Sequence, residues 1–271
     1  MKNILILTNF TNEQKEDEFL ADYLKNYFDV RLVDFSSIEK YENDSDLIII
    51  RNTWPDSEDE SENYHFQKAE FLKRAEKKNL NLYNSLKAHC DRRGKEYLVK
   101  LYKENYLVIP SFDSFENVEH YEKFLVKPKY GFSSFGIEET SLDDLKNVDF
   151  NKNFVQPKMK FKGELSFYCI DEDIVYALFF EGSKEKTWAK PIVWKLKKTE
   201  RELVRKFLKW NGLKHGLCRV DFLVLEDDSL LLLEIEDDSP YLSFEEIDDK
   251  LVYRFLNRLK DSIESELNKY N

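Results

Sequence analysis

Glycine is scarce in this chain, at 7 of 271 residues, where average usage would supply roughly 19. A chain so poor in the most permissive residue keeps it where backbone geometry demands it. Gly131 and Gly136 share one loop, while Gly163 and Gly216 stand next to strand-like runs. Cysteine is also rare. Cys90, Cys169 and Cys218 are odd in number, far apart and outside any CxxC spacing, so neither a disulfide framework nor a zinc site is expected, and the compartment reads as reducing cytoplasm. No apolar run approaches the ~18 residues of a membrane span, and Ile4–Leu7 is too short for a secretory signal, so no membrane partner is expected. Positive charge is in deficit: 42 Lys and Arg against 53 Asp and Glu leave −11. That balance argues against a general nucleic-acid or anionic-membrane binder. The four histidines (65, 89, 120, 215) sit singly in polar surroundings and read as surface residues. No internal repeat or low-complexity linker is visible.

What is present is a globular composition, 42% hydrophobic and 15% aromatic under 35% charged residues, long enough for about two compact units. The order of apolar patterns is strand (Ile4–Leu7), helix (Phe19, Leu20, Tyr23, Leu24, Tyr27), strand (Val30–Phe35) and strand (Asp46–Arg51). This alternation predicts a small parallel sheet in an α/β class, with Arg51 and the Asn52-Thr53-Trp54 loop at its carboxyl edge. A helix with Tyr97, Leu98 and Leu101 follows, then strands at Leu107–Ile109 and Phe124–Pro128. Beyond Phe154 come long β segments, a helix whose Thr199 and Glu202 suggest a capping box, and a last helix from about Glu245.

Arg219–Leu225, the polar break Glu226–Ser229 and Leu230–Glu236 read as a β-hairpin. With Asp227 and Asp228 as its two turn residues, Asp221 faces Glu234 and Arg219 faces Glu236. One face then carries all four charges, and Val220, Phe222, Val224, Leu231, Leu233 and Ile235 line the other. Facing acids repel unless something cationic lies between them, and neutralising one should then relieve strain. Such oxygen-only donors suit Mg²⁺ or Mn²⁺ shared with phosphates. Lys127 ends a strand just before the Gly131–Gly136 loop with Ser133 and Ser134, a lysine and loop suited to phosphate but matching neither a Walker loop nor GxGxxG. In Phe154-Val155-Gln156-Pro157-Lys158, Pro157 lacks an N–H, which leaves neighbouring backbone groups for an adenine edge, and Glu164 shortly after can accept ribose hydroxyls.

In this order, the elements resemble the ATP-grasp superfamily, the fold of D-alanine–D-alanine ligase, glutathione synthetase and many carboxylate–amine ligases. The resemblance spans nearly the whole chain: Arg51–Trp54, Lys95-x-Tyr-Leu-x-x-Leu101, Val-Lys-Pro128, Gln156-Pro157, Gly163-Glu-x-Ser166, Arg219-Val-Asp221 and Glu234-x-Glu-x-x-x-Pro-x-Leu242. It implies an ATP-grasp fold with an N-terminal pre-ATP-grasp α/β domain at 1–85, a central lid subdomain at 86–153 and a C-terminal subdomain at 154–271. It implies that Lys95 and Lys127 contact ATP, that Gly131, Ser133, Ser134 and Gly136 close over its phosphates, that Val155, Gln156, Pro157 and Lys158 meet adenine, and that Glu164 takes the ribose. Asp221, Glu234 and Glu236 would hold Mg²⁺ (or Mn²⁺), with Arg219 and Lys127 catalytic and Arg51 and Lys190 facing substrate. Many relatives carry Asn where Glu236 stands.

The implied activity is ATP-dependent ligation of a carboxylate to an amine through an acyl phosphate, releasing ADP and phosphate, with small-molecule or peptide substrates. The alternative is an inactive ATP/Mg-binding sensor or partner protein of the same fold. One stretch departs from relatives: between 184 and 209, ten cationic residues stand against Glu185, Glu200 and Glu202, a local +7 that leaves −18 elsewhere. It reads either as a solvated face whose stems cover Trp188 and Trp194 or as a docking surface for an anionic substrate. A homodimer is left open.

Overall fold

The apolar runs near the N-terminus form β1 (Asn3–Leu7), β2 (Asp29–Val33) and β3 (Leu47–Ile50), a parallel sheet in the order β2-β1-β3. Helix α1 (Lys15–Leu24) crosses from β1 to β2, and α2 (Ser61–Lys78) follows β3. The computed structural model describes residues 1–9, 15–51, 53, 61–84, 88–118, 121–131, 134, 136–182 and 190–270, with the side chains of 61–65, 92, 117 and 270 left aside. None of its described helices is long and apolar enough to cross a membrane. Ser133, the residues Asn52 and Trp54 of the expected loop, and Trp188 lie outside the described residues, as do Lys184 and Lys186.

Helix α3 (Tyr97–Lys103) leads to a small antiparallel sheet in the order β5-β4-β6, built from β4 (Lys123–Pro128), β5 (Glu138–Ser141) and β6 (Asn153–Pro157). The boundary expected at 153/154 thus falls at the start of a strand. Alternation along β6 sends Phe154 to one core and Val155 to another: Phe154 packs with the large sheet, Val155 with Phe112, Phe124, Val126 and Leu145. The strand expected at Leu107–Ile109 is only a bridge, in which Leu107 accepts from Leu232 N–H and Ile109 N–H donates to Leu232. Pro110, with no N–H, follows at once.

The large sheet runs β11-β10-β7-β8-β9, with β7 (Phe161–Ile170), β8 (Asp173–Glu181), β9 (Ile192–Val193), β10 (Leu217–Leu225) and β11 (Leu230–Glu236), all antiparallel. Gly163 is required here by close approach: a Cβ would stand 2.2 Å from the Phe180 carbonyl on β8. At Gly216, φ is +155° and a Cβ would meet Asn84 Oδ1 at 2.4 Å. One face of the sheet packs Leu165, Phe167, Val220, Phe222 and Ile235 against α3 and α4 (Lys198–Asn211), which contributes Val204, Phe207 and Leu208. Helix α4 starts one residue before Thr199. Its N-cap is Lys197, whose N–H donates to Glu200 (2.8 Å), so the expected Thr199/Glu202 box is displaced. The final helix, α5 (Asp249–Leu267), is capped by Asp248 rather than starting at Glu245. It packs with α1, the N-terminal sheet, Tyr168 and Tyr176 in one shared core.

The β10/β11 hairpin pairs Asp221 with Glu234 and Arg219 with Glu236, as the spacing predicts. Its turn differs. Leu225 N–H donates to Ser229, Asp228 adopts φ +66°, and Val224 faces Leu230. Three residues rather than two make the turn, and Leu233 is the extra residue of a bulge that restores the register before Glu234. Leu232 therefore takes the core position opposite Phe222, while Leu231 joins Leu223 on the charged face.

Candidate functional site

Direct pairing across β10 and β11 brings Asp221, Glu234 and Glu236 together, with one oxygen of each within 4.8 Å of the others. This donor set of hard oxygens fits a divalent cation such as Mg²⁺. The charges are not left to repel. Arg219 donates through Nε to Asp221 (3.0 Å), through Nη2 to Glu236 (2.8 Å) and through Nη1 to the Tyr241 carbonyl (3.2 Å). Lys95 ion-pairs with Glu234 and with Asp91 (3.1 Å). Burial raises Glu236 to about 8 against the pull of Arg219, whereas Lys95, joined by Arg219 and Lys127, overcomes burial at Glu234 and holds it at about 2. Lys95 itself stays cationic against burial because Asp91 and Glu234 surround it.

Lys127 sits opposite Phe154 in the small sheet, and among the described residues it forms no ion pair. Burial lowers it to about 8, partly offset by Glu234. Its strand ends at Pro128; beyond it Gly131 is half-buried, and Ser134 (φ +61°) and Gly136 (φ +70°) are exposed. Glu164, on β7 opposite Leu223, shares the charged face with Asp221. Burial, then the charges of Asp221 and Glu234, raise it to about 7.

The hinge strand is less open than its sequence implies. Val155 exchanges both outward backbone hydrogen bonds with Phe112 (2.9 Å each), and Lys158 N–H donates to Lys123. Pro157 faces the same way as Val155 without an N–H, so its carbonyl is the outward group left by the alternation. Gln156 is buried and donates to Ser111 Oγ (2.9 Å). The Lys158 side chain turns to Glu139 on β5.

No protein-family model matches the chain, and no curated protein matches it. Solved structures do. D-cycloserine synthetase DcsG superposes with a TM-score of 0.72 at 17% identity, over 96% of this chain and 99% of the other. The ATP-grasp ligase PsnB complexed with minimal precursor gives 0.69 at 12% identity, over 98% and 99%. The chain has the ATP-grasp fold. Macrocyclase MdnC bound with precursor peptide MdnA from Microcystis aeruginosa MRC is a further ATP-grasp neighbour, at 0.68 and 12% identity over 96% and 98%.

Two residues expected near substrate, Arg51 and Lys190, are not among the charged groups gathered on the hairpin face. Arg51 is 2% exposed, with Nε on Asp17 (2.9 Å), Nη1 on the Pro240 carbonyl (2.6 Å) and Nη2 near Glu16 (3.4 Å). Glu16 in turn accepts the Leu242 and Phe244 N–H groups. This cluster ties the N-terminal unit to the loop after β11 and leaves the guanidinium no free face. Lys190 is exposed beside the undescribed residues 183–189 and forms no ion pair among the described residues. In the basic stretch, Lys197 Nζ lies 5.3 Å from the Trp194 ring centre and Trp194 donates to Glu200 (3.1 Å), which favours the solvated-face reading for that part. Pattern reading missed Asp91, Tyr97 and Asp237. All three converge on β11 and its exit: Asp91 through Lys95, Tyr97 by accepting Ile235 N–H (2.6 Å), and Asp237 by accepting Cys90 N–H (3.1 Å). Asp91 stands four positions before Lys95, but no periodic signal marks a carboxylate in a short turn.

Proposed function

We propose that this chain is an ATP-dependent ligase that activates a carboxylate as an acyl phosphate and joins it to an amine, with ADP and phosphate as products. The observation that carries the reading is the convergence of Asp221, Glu234 and Glu236 within 4.8 Å, flanked by Arg219 and Lys95, on an ATP-grasp fold. A metal-free binding module has no need to gather three acids and an arginine on one hairpin face with a lysine from a second segment beside them. Asp221, Glu234 and Glu236 would hold Mg²⁺, which supplies neutralisation of phosphate charge. Lys95 and Lys127 orient the nucleotide phosphates, Glu164 accepts the ribose hydroxyls, and Gly131, Ser134 and Gly136 close over the phosphates. Arg219 stabilises charge on the transferred group and on the tetrahedral adduct, so positioning and electrostatics do the catalytic work. The neighbours include a D-cycloserine synthetase and a ligase and a macrocyclase bound to precursor peptides, so small molecules and peptides both belong among the substrates tested. The test is incubation with ATP, Mg²⁺ and pools of amino acids, small acids and peptides, reading ADP, phosphate and a new amide mass. AMP and pyrophosphate would overturn the acyl-phosphate route. Nucleotide binding without turnover in any pool would favour the sensor alternative.

A further inference from the structure

The carboxylate of Asp91 lies outside the three-acid cluster yet touches both of its supports. One oxygen accepts from Lys95 Nζ (3.1 Å). The other accepts from Tyr97 OH (3.2 Å), and that hydroxyl accepts the N–H of Ile235, the residue between Glu234 and Glu236. Lys95 meanwhile spans from Asp91 to Glu234, so the ammonium occupies a carboxylate that the proposed reading gives to the metal. A divalent cation approaching Glu234 meets this positive charge first. The lysine must withdraw from Glu234, and Asp91 is the protein carboxylate already within reach to receive it (3.1 Å), sharing the ammonium with the nucleotide phosphates when these bind.

We propose that Asp91 is a positioning residue: it receives Lys95 as the metal takes Glu234 and, through Tyr97, holds the β11 backbone between the two glutamates in register. This rests on the ligase reading only in taking Glu234 as a metal ligand. The pairing geometry supports a definite direction. With Asp91 neutral, Glu234 becomes the main anchor of Lys95, the pair tightens, and the metal competes less well. With Lys95 removed, Asp91 has nothing to receive, and its charge no longer matters to the metal.

The experiment is a double-mutant cycle on Asp91→Asn and Lys95→Met, with circular dichroism to verify folding. Mg²⁺ binding in the presence of ADP is followed by calorimetry at pH 8, and thermal melting is followed with and without Mg²⁺. Asp91→Asn alone should raise the Mg²⁺ concentration needed for half-saturation about tenfold. In the Lys95→Met background the same substitution should change it less than twofold. An equal shift in both backgrounds, or none in the first, overturns the proposal. Tyr97→Phe gives a second check, since removing the hydroxyl should weaken Mg²⁺ binding while leaving the Lys95–Asp91 pair in place; an unchanged Mg²⁺ dependence there overturns the backbone half of the proposal. If the unmodified protein takes up no Mg²⁺ with ADP, it is the reading of the three acids as a metal site that fails, an outcome distinct from these.

Discussion

Replacing Glu234 by Gln tests the electrostatic arrangement of the hairpin most directly. Facing acids alone would make the change stabilising without ligand, by the roughly 0.2–1 kcal/mol that a directly opposed like-charge pair costs. The structure reverses the sign. Lys95 and Glu234 are 15% and 24% exposed in their side chains, and breaking a fully buried pair costs about 3–5 kcal/mol. Here the loss is smaller, because Lys95 keeps Asp91 and the amide oxygen still accepts. What disappears is a charge-assisted hydrogen bond, about 1.5–3 kcal/mol. After the relief of repulsion from Asp221, the net is a destabilisation of about 1–2 kcal/mol, a melting temperature lower by roughly 2–6 °C for a chain of this size. The same variant should lose the stabilisation conferred by Mg²⁺ with nucleotide, about 2.7 kcal/mol at a hundredfold excess over Kd. Thermal melting with and without Mg²⁺ and ADP reads both effects. An unchanged or raised melting temperature without ligand would refute the Lys95 argument, and a retained ligand shift would refute the metal assignment.

Lys127→Ala should weaken ATP binding by roughly 1.5–3 kcal/mol with the fold intact. Because burial lowers this lysine to about 8, the unmodified protein should also lose ATP affinity as pH rises past about 8, and calorimetry across pH should show the variant without that loss. Glu164, raised to about 7 by burial and neighbouring acids, binds its proton more tightly folded than unfolded. Metal-free stability should therefore fall as pH climbs from about 4.5 to 7, and denaturant titrations should find Glu164→Gln less steep over that window; an identical slope would argue against the raised value. Arg51→Met leaves Glu16 and Asp17 buried without their guanidinium and should cost about 3–5 kcal/mol in unfolding experiments, whereas a stable variant with only substrate binding impaired would return Arg51 to the substrate site.

The patterns that sequence reading captures are those with a short period. Alternation located β10 and β11 and placed Asp221 opposite Glu234 and Arg219 opposite Glu236, and the apolar runs located the parallel sheet. Contacts between distant segments were not legible. Arg51 looks like an exposed loop cation until the chain brings Asp17 and the Pro240 carbonyl to it, 34 and 189 positions away. Lys95 reads as a nucleotide ligand, yet it also pairs with Asp91 and with Glu234, the latter 139 positions on. The freedom of the Val155 backbone was likewise decided elsewhere, by Phe112. Long-range pairing of charge and of backbone groups carries no local signature, because any buried polar group takes whichever complement the tertiary fold delivers.

The bulge at Leu233 gives the hairpin a division of tolerance. Between the turn and the bulge lie only Leu230–Leu232 and Phe222–Val224, and a lengthened or shortened turn can be absorbed there by shifting the extra residue along β11. The acids lie beyond it, pinned by Arg219, Lys95 and the Tyr97 hydroxyl. Residue count at the turn is therefore free to drift during evolution. Deleting Leu233 would likewise leave Leu232 opposite Phe222 and Glu234 opposite Asp221, now in one unbroken ladder, whereas a residue added or removed between Glu234 and Glu236 has no such slack and would turn one of the two acids into the apolar layer against α4.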